Sequence, residues 1–439
     1  MHPRNPYRTP PDFCKLAEAY PALTPCIISY SGGFSIDFKN ETSQRRLTEA
    51  LLHRDFEISL NLPLNRLCPP VPNRLNYVLW IQDVIRTTEF LEHTPPVLGL
   101  DIGTGASAIY PLLSCRLDSA WSFIATDVDN FSLSCAQSNV EQNGLADRIQ
   151  VFQTTPEAPI FAPLHQDPDL RADFTMCNPP FYSSREDVVA SVDSKEFEPN
   201  AVCTGADVEM ITEGGEASFV RRMVDESAKI GERCRWYTSM LGKMSSMTEI
   251  VGAIREHGIQ NYGITEFVQG STRRWAVVWS FSDFRLSDNV ARITNPQLQT
   301  LMPPRNTLRQ PIQVPAQNVG RLNDILSEVL AAVEGARVVD DNIFSRFIIY
   351  ANKNTWSRAA RRKNKHATPD TPSAEEILAP NLICSMRWIF SETGDAEGIE
   401  TSLECQWMQG KDRSLFEGFA SHISRKVSES VRMSLGREF

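Results

Sequence analysis

Four short apolar runs recur between residues 97 and 178: VLGLD (97–101), WSFIATD (121–127), RIQVFQ (148–153) and DFTMCN (173–178). Stretches of helical character separate them, such as IYPLL after the first run. In NFSLSCAQSNVEQNGL, Phe131, Cys135, Val140 and Leu145 recur near the helical period. Strands that alternate with helices pair through crossovers, so this order predicts βαβ units and a parallel, doubly wound sheet. A helix at 215–230, a strand RWYTSML, a helix at 245–257 and strands NYGITEFV and RWAVVWSF continue the pattern. The short QGSTR between the last two predicts an antiparallel hairpin at the sheet edge.

At 439 residues the chain exceeds what one hydrophobic core serves well, which predicts two domains. Residues 286–319 hold five prolines and no clear period, and read as a linker. The expected division is therefore an α/β domain over 1–285, a Pro-rich linker over 286–319 and a small α+β domain over 320–439. In the last, RLNDILSEVLAAVEG reads as a helix and IFSRFIIYA as a strand. NTWSRAARRKNKH reads as a basic helix capped by Asn354 or Thr355. Strands near 382–390 and 401–408 and a helix from about 411 to 434 follow, with PDTPSAEE (369–376) as a disordered loop.

Charge limits the function classes. The net charge of −10 argues against a protein that coats nucleic acid without selectivity. The imbalance is local: residues 1–285 carry 25 basic and 36 acidic side chains, residues 286–439 carry 19 and 18. Arg4 and Arg8 stand in a first decapeptide without an acid, and Lys353 to Lys365 holds six basic residues and no acid. Such clusters can grip phosphate because salt screens distant charges beyond about 10 Å. A solvated helix face or a nuclear-import signal fits the second run equally well. Ten scattered cysteines without C-x-x-C spacing predict reduced thiols, and the seven histidines show no metal-site spacing. No run of eighteen apolar residues occurs, and the polar, proline-rich N-terminus predicts no secretory signal.

The chemistry is carried by three strand ends. VLGLDIGTGAS (97–107) leads an apolar strand into a glycine turn and then a helix. Gly103 and Gly105 allow a tight turn and close approach of the backbone to a ligand. A glycine turn of this kind also serves as a plain strand–helix connection. The next strand ends in Asp127, 26 residues after Asp101, where a nucleoside-binding sheet places the carboxylate that accepts ribose hydroxyls. That spacing suits a nucleotide or S-adenosylmethionine alike. No G-K-[ST] follows a glycine loop, which disfavours nucleoside triphosphate hydrolysis. The fourth strand ends in Asn178-Pro179-Pro180-Phe181. Proline supplies no N–H and stiffens the backbone, so the Asn178 side-chain oxygen and the Pro179 carbonyl can both accept from one planar amine. Phe181 offers a stacking face. Attack of the amine on a methyl sulfonium consumes the positive charge on sulfur, so orientation supplies most of the acceleration.

N-P-P-[FY] after D-x-G-x-G resembles the class I Rossmann-like methyltransferases acting on planar amines. Longer strings narrow the likeness: HPRNPY…PPDF (2–13), VPNRLNY (71–77), LDIGTGASAIYPLL (100–113), SNVEQN (138–143), MCNPPF (176–181), EGGE (213–216), RWY…MLGK (235–243) and RWAVVWSF (274–281). Together, across roughly residues 1–283, they closely resemble the eukaryotic U6 small nuclear RNA adenine-N6 methyltransferases, the methyltransferase-like protein 16 family. That family is kin to bacterial ribosomal RNA adenine-N6 enzymes.

The resemblance implies S-adenosyl-L-methionine as cofactor, structured RNA as partner, no metal and no membrane. Asn178, Pro179, Pro180 and Phe181 would be the catalytic tetrapeptide. Arg74 would meet the cofactor's carboxylate, Gly103 and Ser107 would line its methionine end and Asp127 its ribose, with Asp101 and Gly105 completing the cofactor-binding set. Arg4, Arg8, Lys39 and Arg274 match RNA contacts. The tail after residue 340 looks like the family's C-terminal RNA-binding region. There Lys353, Arg358, Arg361, Arg362, Lys363 and Lys365 would contact the backbone, beside Trp356 on an RNA-facing surface. Four places depart from the family pattern: Asp127 where Glu is usual, an acidic SSREDVVASVDSKEFEPN where a basic segment is expected, a lysine-free 154–172 loop, and Ser271 where Arg is familiar. The expected activity is N6-methylation of an unpaired adenine, with U6 RNA as substrate and the nucleus as main site, the cytoplasm a second. Methylation of another RNA or of a protein glutamine by the same N-P-P-F site, or a scaffold that binds RNA without turnover, are the alternatives.

Overall fold

The computed structural model describes residues 1–88, 96–188, 205–270, 272–313, 320–357, 360, 380–392 and 399–435. Two compact units result, one of Met1–Ser282 with Val290–Pro303, the other of Asp283–Asn289 with Pro304–Phe439.

In the first unit, β1 (Ile27–Tyr30) and β2 (Gly33–Ile36) make a small antiparallel ribbon. The main sheet contains β3 (Val97–Ile102), β4 (Trp121–Asp127), β5 (Ile149–Gln153), β6 (Ala172–Cys177), β7 (Cys234–Leu241), β8 (Tyr262–Gln269) and β9 (Thr272–Trp279). Its order is β5-β4-β3-β6-β7-β9-β8; the first five run parallel, and the β8–β9 hairpin closes one edge antiparallel, as expected. From β3 the chain first builds outward to β4 and β5, then returns to add β6 on the other side. That reversal opens a crevice beyond the C-terminal ends of β3 and β6, where open α/β sheets hold ligands. Gly99 sits at the centre of β3 because a Cβ there would stand 2.6 Å from both the Phe123 and Phe174 rings.

Helices cover the sheet, and their registers follow their caps. Asp129 accepts from the Ser132 amide and starts the helix Asn130–Gln142, which buries Leu133, Ala136 and Val140. Phe131, expected on the apolar face, is instead exposed and lies 4.7 Å from the Arg66 guanidinium. The cap fixed a register that the loose apolar spacing did not reveal. The helix Val71–Arg86 is buried along most of its length, and its Tyr77 hydroxyl accepts from the Cys177 amide at 3.3 Å. That bond anchors the last residue of β6 directly before Asn178.

The second unit is an antiparallel sheet of β10 (Thr307–Pro311), β11 (Ala336–Asp341), β12 (Arg346–Ala351), β13 (Leu382–Glu392) and β14 (Ile399–Gln409), in the order β10-β14-β13-β12-β11. The helices Leu322–Ala331 and Arg413–Leu435 share its apolar core, which confirms the α+β class. The segment 286–319 is more than a linker. Its described part holds the helix Asp288–Ala291, a 3₁₀ turn at Pro296–Leu301 and β10, and Val290–Pro303 belongs to the first unit. Proline is tolerated at the end of an edge strand, so proline content alone hid β10.

Trp356 corrects a second expectation. It does not face solvent beside the basic run but is 4% exposed, its ring edge-on to Phe419 at 5.0 Å. Trp356→Ala is expected to destabilise the second unit by about 3–5 kcal/mol, read by denaturant unfolding. Lys353 is exposed; Arg358, Arg361, Arg362, Lys363, Lys365 and Ser271 lie outside the described residues.

Candidate active site

The crevice between β3 and β6 deepens into a cavity of about 340 Å³, the size range of small-molecule sites. Arg74, Gly103, Gly105, Ser107, Asp127, Asn178, Pro179 and Pro180 all line it, together with Tyr110, Thr154, Thr155 and Glu209. Segments far apart in sequence thus deliver most of the expected cofactor and catalytic residues to one cavity, while Asp101 and Phe181 are not in its lining.

The glycine turn works as the sequence requires. Gly103 and Gly105 adopt φ of 69° and 63°, and a Cβ on Gly103 would meet nothing, so the backbone is bare on the cavity side. The Gly105 amide donates to Asp127 Oδ2 at 2.8 Å and the Asp129 amide to Asp127 Oδ1 at 3.0 Å. Asp127 therefore ties the end of β4 to the turn while keeping lone pairs for a hydroxyl. Burial raises its pKa above the ordinary carboxylate value. Ala108, where a third glycine is usual, also sits in the left-handed region at φ 45° and caps the helix Ile109–Leu117.

Beneath the turn lies an unsatisfied charge pattern. Both Asp101 carboxylate oxygens are buried without a hydrogen-bond partner. Burial pushes this carboxyl up to about 7, with the neighbouring Thr104 hydroxyl and the Arg74 charge opposing the shift and the Asp127 charge adding to it. Arg74 is itself buried, its guanidinium 5.7 Å from the Tyr110 centroid, and among the described residues it has no salt bridge to a carboxylate. A buried cation and a buried anion, both short of partners beside an empty-walled turn, fit a zwitterionic amino-acid group. With Asp127 at the nucleoside end, the residues present fit S-adenosylmethionine.

The N-P-P-F turn carries a third orphan: Asn178 Oδ1 is buried and has no hydrogen-bond partner. Phe181 stands just outside the cavity wall. The Arg274 guanidinium lies 5.5 Å from its ring centroid, which sets this expected RNA contact against the expected stacking residue. Burial, followed by the charge of Arg74, lowers the Arg274 pKa from its ordinary value. Behind the ring, Glu216 is 2% exposed and accepts from the Gly242 and Lys243 amides at 2.6 and 2.8 Å and from the Ser246 hydroxyl at 2.7 Å. A Cβ on Gly242 would stand 2.8 Å from Phe181 Cδ1. Gly242→Ala is therefore expected to displace the ring and lower kcat about tenfold while cofactor affinity holds, measured by steady-state kinetics beside calorimetric titration.

The N-terminal cations divide. Arg4 donates to Gln82 Oε1, the Leu79 carbonyl and Asp83 Oδ1, so it pins the N-terminal segment to the helix Val71–Arg86. Arg8 and Lys39 are exposed. Past Phe181, the acidic segment pairs with its own surroundings, Arg185 with Asp207 and Lys243 with Asp187. Sequence reading missed Tyr77, Glu209 and Glu216 as site builders. VPNRLNY and EGGE contained two of them, but only as strings without an assigned role. Among the described residues, no group of three or more His, Cys, Asp or Glu side chains is arranged to hold a metal.

Comparison with known proteins agrees with this geometry. A family model described as RNA methyltransferase matches residues 1–283. The U6 small nuclear RNA (adenine-(43)-N(6))-methyltransferase of Schizosaccharomyces pombe is 35% identical over 407 residues, covering 90% of this chain and 96% of the relative. Homo sapiens RNA N(6)-adenosine-methyltransferase METTL16 is 42% identical over 287 residues, 64% of this chain but 51% of the human protein. The chain thus spans about half the length of that animal relative. Among solved structures, the human METTL16 catalytic domain in complex with MAT2A 3′UTR hairpin 1 aligns with a TM-score of 0.59 at 40% identity, over 64% of this chain and 96% of that one. The N-terminal domain of human METTL16 in complex with SAH aligns at 0.54 and 39%, over 64% and 99%. A family match across the whole glycine-turn and N-P-P-F region, joined to a relative aligned over nine-tenths of the chain, shows that this protein belongs to the RNA methyltransferase family.

Proposed function

We propose that the chain transfers a methyl group from S-adenosyl-L-methionine to N6 of an unpaired adenine in structured RNA, with U6 small nuclear RNA as substrate and the nucleus as its place of action. One observation carries the chemistry: the buried, partnerless Asn178 Oδ1 at the rim of a cavity whose other end suits a nucleoside with an amino-acid tail. The U6 assignment is supported by the printed activity of the fission-yeast relative, which this chain covers almost end to end.

The bound cofactor supplies an electrophilic methyl on a sulfonium. The chain supplies position. Asn178 Oδ1 and the Pro179 carbonyl accept the two N–H bonds of the adenine amine and turn its nitrogen lone pair toward the cavity. Phe181, held from behind by Gly242 and flanked by Arg274, stacks the base. The amine loses one proton to water as the N–C bond forms, and no side chain has to act as a strong base. An adenine inside a duplex cannot reach this turn, so an unpaired or extruded base is required.

The test is methyl transfer from labelled S-adenosylmethionine to total RNA, followed by nucleoside analysis and capture of U6 RNA. N6-methyladenosine in U6, lost in Asn178→Ala, is the expected result. Label confined to another RNA would overturn the substrate. Label found on protein alone would overturn the reaction.

A further inference from the structure

Glu209 has no assigned role, yet it reaches the cofactor cavity from the segment that follows the catalytic turn. It sits on the single-turn helix Asp207–Met210. Its Oε2 accepts from the Leu67 amide, 142 residues away, and from the Ala206 amide, each at 2.9 Å. Its Oε1 points to the other side, 3.6 Å from where a Cβ on Gly105 would lie. Gly105 is the residue whose amide is held by Asp127, so two carboxylates stand beside the same glycine. Both line the cavity, together with Val208, Ile211 and Thr212 of the same segment.

A carboxylate at such a place costs free energy unless something donates to it. Burial raises the Glu209 pKa, the Leu67 and Ala206 amides oppose that, and the Asp127 charge adds to it. Oε2 is satisfied by the two amides. Oε1 lies beside Gly105, next to Asp127 in the cavity lining, and the donors that a nucleoside held by Asp127 presents there are the ribose hydroxyls. One vicinal diol can donate to two acceptors.

We propose that Glu209 is a second ribose acceptor, taking one hydroxyl of the cofactor while Asp127 takes the other. The inference rests on the methyltransferase reading of the cavity. It also gives the segment a positional task. The Tyr182 amide donates to the Met210 carbonyl and the Thr212 amide to the Tyr182 carbonyl, each at 3.0 Å. A hydroxyl held by Glu209 therefore fixes the strand of chain bonded directly to the residue after Phe181. Cofactor binding and placement of the catalytic turn become one event.

The experiment is calorimetric titration of the full chain with S-adenosylhomocysteine and its 2′-deoxy and 3′-deoxy analogues. The wild type should lose about tenfold in affinity for each hydroxyl removed, the usual effect of one hydrogen bond to a charged acceptor. Glu209→Gln keeps an oxygen for the Leu67 and Ala206 amides. It should bind the parent ligand about tenfold more weakly and become indifferent to one of the two deletions. Asp127→Asn supplies a second route that does not depend on the Glu209 variant folding. With Glu209 intact it should still distinguish one hydroxyl, whereas a lone Asp127 acceptor would leave it blind to both. If Glu209→Gln discriminates against both deletions as the wild type does, or weakens all three ligands equally, Glu209 is only a backbone latch and the proposal falls. If the wild type itself ignores both deletions, the nucleoside assignment of the cavity fails as well, a result distinct from the first.

Discussion

Asn178→Ala is expected to lower kcat for methyl transfer by about a hundred- to a thousandfold, the scale seen when one preorganised polar group is removed from an active site. Fold stability should stay within about 0.5 kcal/mol of the wild type, because the lost oxygen bonds to nothing in the free protein. That pairing of effects is diagnostic. A structural asparagine would show the reverse, since deleting one partner of a buried hydrogen bond leaves the other unsatisfied. RNA affinity should change little, because the amide touches a single amine while phosphate contacts dominate binding. The measurements are single-turnover transfer to a U6 hairpin, thermal unfolding and filter binding at fixed salt. Collapse of RNA binding together with activity would place Asn178 in the RNA grip instead.

The reach of sequence reading is clearest where local chemistry and global position coincide. β3, β4 and β6 were legible because central strands of a covered sheet read as short apolar runs, and each leads into residues with a chemical reason to be there. Gly103, Gly105, Asp127 and Asn178 are strand-end residues of this kind, and all four line one cavity. Glu209 was not legible. It lies outside any periodic segment, and only the fold brings it to Leu67. Glu216 was visible as part of EGGE but carried no signal of what it would hold, since its partners Gly242 and Lys243 come from the turn after β7 and Ser246 from the helix Met244–Glu256. The errors have physical causes too. Trp356 was read by its basic neighbours, though an indole of that size is worth more against Phe419 than in water. Arg4 was read by charge, but Gln82, Leu79 and Asp83 engage its donors.

Asp101 joins stability and function in opposite directions. Its carboxyl is buried without partners, and burial lifts its pKa from the ordinary carboxylate value to about 7. A folded-state pKa above the unfolded one means that the fold prefers the protonated acid. The associated stability is complete below about pH 4 and is lost as pH rises through about 7. Asp101→Asn removes that titration, so the free variant should match the wild type near pH 4 and exceed its unfolding free energy by up to a few kcal/mol at pH 8.5. Cofactor affinity should fall, because a neutral amide beside Arg74 no longer attracts an ammonium group. In the wild type, binding that selects the ionised carboxylate must release a proton. S-adenosylhomocysteine should therefore bind more tightly from pH 6 to pH 8, with a binding enthalpy that depends on the buffer. Both signatures should vanish in Asp101→Asn. Thermal unfolding across pH and titration in two buffers read the two effects separately. A variant as pH-sensitive as the wild type would move the titration to Asp127, the neighbouring carboxyl that burial also raises, and would leave Arg74 to hold the cofactor's charged end without a counter-charge from β3.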